Sequence, residues 1–165
     1  MPTYQCFTVE TKDHIAHVQL SRPDAMNSMN KAFWVELPQC VRDIEAAADA
    51  RVIVISSTGK HFSAGMDLGV FSDPKALPMS GDPGRMGEAL RRLVLDLQDS
   101  LSSLEQVRIP VLAAIHGGCI GGALDMVCAA DSRYCSADAY FTIKETELGM
   151  TADVGTLQRL PKLMP

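Results

Sequence analysis

The chain has 165 residues, of which 47% are apolar, and a formal net charge of −5. This length and composition are typical of one ordinary globular domain, and the acidic balance argues against nucleic acid as the main partner. No apolar run approaches the roughly 20 residues that span a bilayer, so we expect no membrane partner, and the first residues lack the Arg-rich and Ser-rich character of a transit peptide.

The N-terminal part predicts a hairpin followed by a buried strand. Residues 4–10 and 14–23 have strand character and are joined through Lys12 and Asp13, which fits a β-hairpin. Residues 51–57, RVIVISS, form a continuous β-branched run. Such runs are typical of parallel strands that are covered on both faces.

Two segments have the apolar spacing of amphipathic helices. The first carries Phe33, Leu37, Val41 and Ile44. Pro38 lies inside it and predicts a kink. The second, longer helix carries Leu90, Leu93, Val94, Leu97, Leu101 and Leu104. Between them, the Pro-rich and Gly-rich stretch from Ser72 to Gly84 predicts a mobile surface loop.

The C-terminal part continues the alternation. Residues 109–115 predict a buried strand, a glycine segment follows at 117–122, a short helix is expected around Asp125, and residues 139–144 predict another strand. Strands that alternate with helices indicate an α/β fold with crossover connections.

The five cysteines do not predict a structural framework. Their number is odd and no C-x-x-C pair occurs, which argues against disulfide pairing or a zinc knuckle. We expect reduced thiols and no metal. The cysteines are Cys6, Cys40, Cys119, Cys128 and Cys135.

The glycine segment GGCIGG at 117–122 has three interpretations. A dinucleotide site requires G-x-G-x-x-G, which the segment does not supply. A nucleophile elbow with Cys119 requires a base histidine later in the chain, and all four histidines precede Cys119. The third interpretation is an oxyanion hole, made by unpaired N–H groups at a helix start and served by nearby carboxylates.

The position of Asp125 leaves two possibilities open. In a helix over 122–130 it shares a face with small residues, namely Gly121, Gly122, Cys128 and Ala129. That face either borders a substrate cavity or packs against a neighbouring strand, with a backbone donor satisfying the carboxylate.

HFSAGMDL at 61–68, together with residues 109–135, resembles the crotonase, or enoyl-CoA hydratase/isomerase, superfamily. The resemblance covers nearly the whole chain and is strongest to the dienoyl-CoA isomerases, which move a 3,5-diene into the 2,4 position. It implies a spiral of βαβ units, with residues 1–165 forming a catalytic core that lacks the family's C-terminal helical part. It also implies a homotrimer or hexamer where those helices are present.

The resemblance also implies where the substrate binds. The backbone N–H groups of Met66 and Gly122 would bind the oxygen of a coenzyme A thioester. The pantetheine arm of the coenzyme would lie near the SAGMD segment at 63–67. The implied substrate-binding residues are Ser63, Ala64, Gly65, Met66, Asp67 and Gly122. No cofactor is implied, since coenzyme A is part of the substrate.

Three acids carry the implied chemistry. Asp125, Glu145 and Asp153 have the spacing of twenty and then eight residues that the dienoyl isomerases have, whereas the hydratases have glutamate in place of Asp125 and no acid matching Asp153. We assign Glu145 to the proton at C2 and Asp153 to the proton at C6, because one carboxylate cannot easily serve both ends of the diene. Asp125 would orient or tune Glu145.

Each assignment has a structural alternative. Asp153 precedes VGTLQRL and has the position of a helix N-cap. Glu147 is a close rival of Glu145 that spacing does not exclude. His61 and His116 flank the glycine segments, and we expect them to pack or to support rather than to react.

The resemblance therefore predicts a dienoyl-CoA isomerase of fatty-acid β-oxidation, in the mitochondrial or peroxisomal matrix. A hydratase or a single-double-bond enoyl-CoA isomerase is the alternative within the family. An acyl-CoA-binding subunit without catalytic activity is the alternative of another class.

Overall fold

The structure is a computed structural model and describes residues 2–72 and 81–164. It is an α/β fold, as the alternation of patterns predicts. The strands are β1 Phe7–Lys12, β2 Ile15–Leu20, β3 Val52–Ser57, β4 Val111–Ile115, β5 Gly118–Ile120, β6 Ser132–Cys135 and β7 Tyr140–Thr142. The α-helices are α1 Lys31–Ala47, α2 Gly69–Ser72, α3 Pro83–Gln106, α4 Gly122–Cys128 and α5 Thr156–Arg159. Short 3-10 helices span Pro23–Ala25, Glu145–Leu148 and Leu160–Lys162.

Two sheets organise the described part of the chain. The larger has the order β1-β2-β3-β4-β6, and the smaller pairs β5 with β7. β1 and β2 form the predicted antiparallel hairpin, with Lys12 opposite Ile15. Asp13 and His14 both have positive φ, at 49° and 64°, which is the backbone of a type I′ hairpin turn. The remaining neighbours in the larger sheet are parallel, as crossover connections require.

The hydrophobic core lies on one face of the larger sheet. Ile53 and Ile55 of β3 are buried, whereas the alternate residues Val52 and Val54 are half-buried. The expected complete cover on both faces of β3 is therefore wrong, because α1 and α3 contribute their apolar stripes to one common core. That core contains Phe33, Leu37, Val41, Ile44, Leu101 and Leu104.

Both predicted long helices are confirmed. Asn30 caps α1 by accepting a hydrogen bond from the Phe33 amide at 3.0 Å, and the helix continues through Pro38 to Ala47. The predicted kink at Pro38 stays a prediction. In the part of the chain that the structure describes, no helix has the length and hydropathy needed to cross a bilayer.

The start of α3 corrects the end of the predicted loop. The Asp82 carboxylate accepts hydrogen bonds from the amides of Gly84 and Arg85 at 3.0 and 3.2 Å. Pro83 then occupies the first helical position, where its missing N–H removes no intrahelical bond. Residues 83–84 are therefore helical. Ser72 at the other end of the predicted loop belongs to α2, and residues 73–80 lie outside the described residues.

Candidate active site

A cavity of about 960 Å³ opens between α1, α3 and the glycine segments. Its walls are mainly apolar and come from parts of the chain that are far apart in sequence. α1 contributes Trp34, α3 contributes Leu93 and Leu97, and the segment after β7 contributes Leu148 and Met150. Such a largely apolar cavity with a few polar groups has the character of a small-molecule site.

The loops that carry Met66 and Gly122 approach each other closely beside this cavity. Gly65 has a φ of 79°, and a Cβ there would overlap the Ile120 carbonyl oxygen and lie 3.2 Å from the Gly122 nitrogen. A Cβ on Gly122 would in turn lie 3.8 Å from the Met66 nitrogen. The two loops therefore touch backbone to backbone, which only glycine at position 65 permits.

The Met66 and Gly122 amides have few hydrogen-bond acceptors within the described part of the chain. Hydrogen bonds fix the flanks of the first loop, since the Met29 amide donates to the Gly65 carbonyl at 2.8 Å and the Ile120 amide donates to the Ser63 carbonyl at 3.1 Å. Apart from bonds inside helices and strands, the described residues offer no backbone carbonyl that accepts a hydrogen bond from the Met66 or Gly122 N–H. Gly122 begins α4, so its N–H has no intrahelical acceptor. Both residues line the cavity.

The other residues of SAGMD hold the loop in place. Ser63 is buried, and its hydroxyl donates to the Asn27 carbonyl at 2.8 Å and accepts from the Gly65 amide at 3.1 Å. The Asp67 carboxylate accepts from the Ser28 hydroxyl at 3.1 Å. Ala64 lines the cavity with Met66, whereas Ser63, Gly65 and Asp67 do not. Of the predicted substrate-binding residues in this loop, Ala64 and Met66 thus line the cavity, and substrate binding by the loop stays a prediction.

Glu145 extends into the cavity beside the glycine turn. A Cβ on Gly121 would lie 3.1 Å from its Oε1 atom, and its Oε2 atom is buried without a hydrogen-bond partner among the described residues. Burial raises the pKa of this carboxyl, and the nearby carboxylates of Asp125 and Asp153 raise it further. Glu147 instead pairs with Lys144 on the exposed side and does not line the cavity. The geometry therefore separates Glu145 from its rival.

Asp153 lines the same cavity as Glu145. The N-cap interpretation of Asp153 is wrong, because α5 begins only at Thr156 and is preceded by Gly155 without a side-chain cap. The Asp153 backbone is held by α3, since Gln98 Nε2 donates to its carbonyl oxygen at 2.6 Å.

Asp125 is 0% exposed and does not border the cavity. Its Oδ1 atom accepts from the Thr156 amide, and its Oδ2 atom is buried without a partner among the described residues. Burial raises its pKa, hydrogen bonding to the Thr156 side chain and amide opposes that rise, and the Asp153 carboxylate adds to it. Of the small face around Asp125, only Gly121 and Gly122 reach the cavity. The face is therefore a cavity wall only in part, because Cys128 and Ala129 are buried by protein and do not line the cavity.

Residues 10–165 match the family Enoyl-CoA hydratase/isomerase. The chain belongs to this family. It is 48% identical over 151 residues to the mitochondrial Delta(3,5)-Delta(2,4)-dienoyl-CoA isomerase of Mus musculus. The aligned region covers 92% of this chain and 46% of the relative. It is 42% identical over 163 residues to the peroxisomal enzyme of the same name from Arabidopsis thaliana. That aligned region covers 98% of this chain and 59% of the relative.

Solved structures of the enoyl-CoA hydratase/isomerase family show the same fold. A putative enoyl-CoA hydratase from Thermobifida fusca YX in complex with acetoacetyl-CoA is 28% identical and has a TM-score of 0.81, covering 96% of this chain and 61% of that one. The predicted crotonase-like α/β fold is thereby confirmed. The chain spans about half the length of the curated relatives that it matches.

His61 and His116, beside the glycine segments, and Cys119, within the second of them, do not line the cavity. His61 Nδ1 accepts from the Gly118 amide at 3.0 Å, and His116 Nε2 donates to the Gly59 carbonyl at 2.9 Å. Cys119 is buried, and that burial raises the pKa of its thiol. None of the three lines the cavity, so the geometry gives the nucleophile-elbow interpretation no support.

Sequence reasoning missed the residues that fix the Asp153 segment to α3. Gln98 and Arg159 make these contacts, and Trp34 forms part of the cavity wall. The polar residues Gln98, Ser102 and Glu105 recur at helical spacing beside the apolar stripe of α3. This row of polar residues could have predicted that a second face of α3 packs against another part of the chain.

Proposed function

We propose that the protein converts 3,5-dienoyl-CoA thioesters to the 2,4-dienoyl isomers. Glu145 and Asp153 would move the protons, and the Met66 and Gly122 amides would bind the thioester oxygen. The observation that carries this proposal is that both acids and both amides border one mainly apolar cavity. The names of the curated relatives support the same reaction.

Proton removal at C2 is the step that the two amides assist. As Glu145 takes the C2 proton, negative charge develops on the thioester oxygen. Fixed N–H donors stabilise that charge without reorganising, and losing one such donor typically costs ~3 to 4 kcal/mol of barrier. The raised pKa of Glu145 makes this carboxylate a stronger base than an exposed glutamate.

Proton return at C6 completes the shift. The C2–H bond breaks, double bonds form at C2–C3 and C4–C5, and the Asp153 carboxyl delivers a proton to C6. Glu145 thus ends protonated and Asp153 ends as a carboxylate, and exchange with solvent restores both. Asp125 supports this cycle by raising the pKa of Glu145 and by holding the Thr156 amide.

The setting of the reaction is also proposed from the relatives. Their names include mitochondrial and peroxisomal enzymes, and we place this protein in one of those two matrices. The family resemblance supports a homotrimer or hexamer where the family's C-terminal helices are present, with coenzyme A entering as part of the substrate and no separate cofactor.

The direct test supplies a 3,5-dienoyl-CoA and follows the conjugated 2,4-product by ultraviolet absorbance. We expect Glu145→Gln and Asp153→Asn each to lower kcat by about 10²-fold to 10⁴-fold, the usual contribution of a positioned acid or base. Glu147→Gln is the matched control, because Glu147 lies two residues from Glu145 but outside the cavity lining. Full activity in both cavity variants contradicts the mechanism.

The same preparation separates the alternatives. A hydratase adds water to 2-enoyl-CoA readily, and its Asp153→Asn variant keeps that activity. An acyl-CoA-binding subunit without catalytic activity binds the thioester and turns over none of these substrates.

A further inference from the structure

The segment that carries Asp153 is fixed by side chains rather than by secondary structure. Residues 149–155, all of them described, belong to no helix or strand. Ala152 and Val154 are buried on either side of Asp153. The position of the Asp153 carboxyl therefore depends on what holds this backbone against α3.

One face of α3 supplies the hydrogen-bonding groups. Gln98, Ser102 and Glu105 are spaced by four and three residues, so they share a helix face. Gln98 Nε2 donates to the Asp153 carbonyl at 2.6 Å. Ser102 and Glu105 both accept from Arg159, which ends α5.

Arg159 connects that face to the backbone beside Asp153. Its Nε atom donates to Glu105 Oε1 at 2.9 Å, its Nη2 atom donates to Ser102 Oγ at 3.1 Å, and its Nη1 atom donates to the Val154 carbonyl at 3.4 Å. The Arg159 side chain is only 11% exposed. A Cβ on Gly155 would overlap its guanidinium group, so the segment passes directly over the arginine.

The C-terminal half of α3 is a firm base for these contacts. Leu101 and Leu104 are buried in the core, and Leu93 and Leu97 of the same helix line the cavity. A side chain attached to this helix is thus fixed relative to the cavity wall.

We propose that Gln98, Ser102, Glu105 and Arg159 form a clamp that positions the Asp153 carboxyl for proton delivery at the far end of the diene. The inference rests on the proposed isomerase function. Its four members are positioning residues, because they act through the 153–156 backbone and do not line the cavity. The clamp therefore affects delivery of the proton to C6 by Asp153. Removal of the proton at C2 by Glu145 does not depend on it.

The first test is independent of activity and uses amide hydrogen exchange. We expect Arg159→Gln and Gln98→Met to accelerate exchange of the Thr156 amide, which donates to Asp125 Oδ1, by about tenfold or more, while β4 keeps its protection. Arg92→Gln is the matched control, because it breaks an exposed Arg92–Glu88 pair on the same helix. Unchanged exchange in both clamp variants overturns the proposal.

The second test compares two reactions of the same variants in deuterated water. Isomerisation needs both acids, whereas exchange of the C2 hydrogen of the bound thioester needs only Glu145. We expect kcat for isomerisation to fall by about tenfold to a hundredfold, as for a displaced catalytic group, with C2 exchange changed by less than about twofold. We expect kcat for isomerisation in the double variant Glu105→Gln and Arg159→Gln to be no lower than in Arg159→Gln alone, because the two residues act through one ion pair.

The outcomes distinguish this inference from the proposed function. If isomerisation and C2 exchange fall in parallel, or neither changes, the clamp does not position Asp153. If the unmodified protein does not isomerise 3,5-dienoyl-CoA, the proposed function fails, and the hydrogen-exchange result still decides whether the clamp holds the segment.

Discussion

Asp125 is a buried carboxyl that makes one structural contact and raises the pKa of a carboxyl in the cavity. It anchors α5 through the Thr156 amide, yet its second oxygen has no partner among the described residues. A carboxylate in such a place is costly, so burial raises its pKa. Asp125 thus lies outside the cavity lining, yet its charge raises the pKa of Glu145, which does line the cavity.

This arrangement predicts a pH-dependent effect of Asp125→Asn. Because the folded-state pKa is raised, the stability associated with the protonated wild-type acid is complete below its unfolded pKa and is lost as pH rises through the folded pKa. Asparagine keeps an oxygen for the Thr156 amide and never ionises. We expect the Tm of the variant minus that of the wild type to increase from about pH 4 to about pH 8.

Thermal unfolding at a series of pH values measures this difference. Asp138→Asn is the control, because a hydrogen bond with Ser136 lowers the pKa of the exposed Asp138 carboxyl, so that its pH dependence has the opposite sign, lies below about pH 4, and leaves its Tm difference nearly constant above that. A Tm difference for Asp125→Asn that is constant or decreases with pH contradicts a raised pKa at this position.

At the scale of elements, the site depends on two loops that approach each other closely. The loop after β3 and the turn between β5 and α4 meet at Gly65, whose φ is 79°. Their pairing is continued by a bridge between Ser63 and Cys119. The distance between the Met66 and Gly122 amides is therefore set by backbone packing and not by any side chain of the two residues.

Gly65→Ala is expected to damage both stability and activity. The new Cβ would overlap the Ile120 carbonyl, and the left-handed backbone alone costs on the order of 1–3 kcal/mol for a residue other than glycine. We expect a lower Tm, and a fall in kcat for isomerisation because the two amides are forced apart.

Gly87→Ala is the matched control. Gly87 lies within α3, and a Cβ added there would meet no neighbouring atom within 4 Å, so alanine should raise stability by about 0.5–1 kcal/mol. Equal behaviour of the two variants in thermal unfolding and turnover would show that the loops do not need their close approach.

At the scale of the whole molecule, folding brings five separate segments around one cavity. α1, the loop after β3, α3, the glycine turn and residues 144–154 all line it. A ligand in this cavity contacts each of these segments, so binding should stabilise the entire fold and not one local region.

Acetoacetyl-CoA is a suitable probe of this coupling. A ligand that binds only the folded state adds about 2.7 kcal/mol at a concentration of about 100 times Kd. We expect acetoacetyl-CoA to raise the Tm of Glu145→Gln more than free coenzyme A does, because the acyl part enters the apolar cavity. Equal shifts with both ligands mean that the acyl group is bound elsewhere or not at all.

The sequence by itself determined the fold class, the hairpin and both long helices, because each depends on periodicity within one segment. The amphipathic stripe of Phe33, Leu37, Val41 and Ile44 predicts α1 without knowledge of its neighbours, and α1 buries all four. The motifs around Met66 and Gly122 likewise identified the family, and the spacing of the three acids could be read directly from the chain.

Only the tertiary structure decided which groups surround each acid. Glu145 enters the cavity while Glu147 pairs with Lys144, and Asp153 is held by Gln98, a contact across 55 positions. Asp125 binds the Thr156 amide across 31 positions and lies outside the cavity. These contacts join residues that are distant along the chain, and periodicity within a segment carries no information about them. Packing of the separate elements fixes both the burial and the partners of each acid.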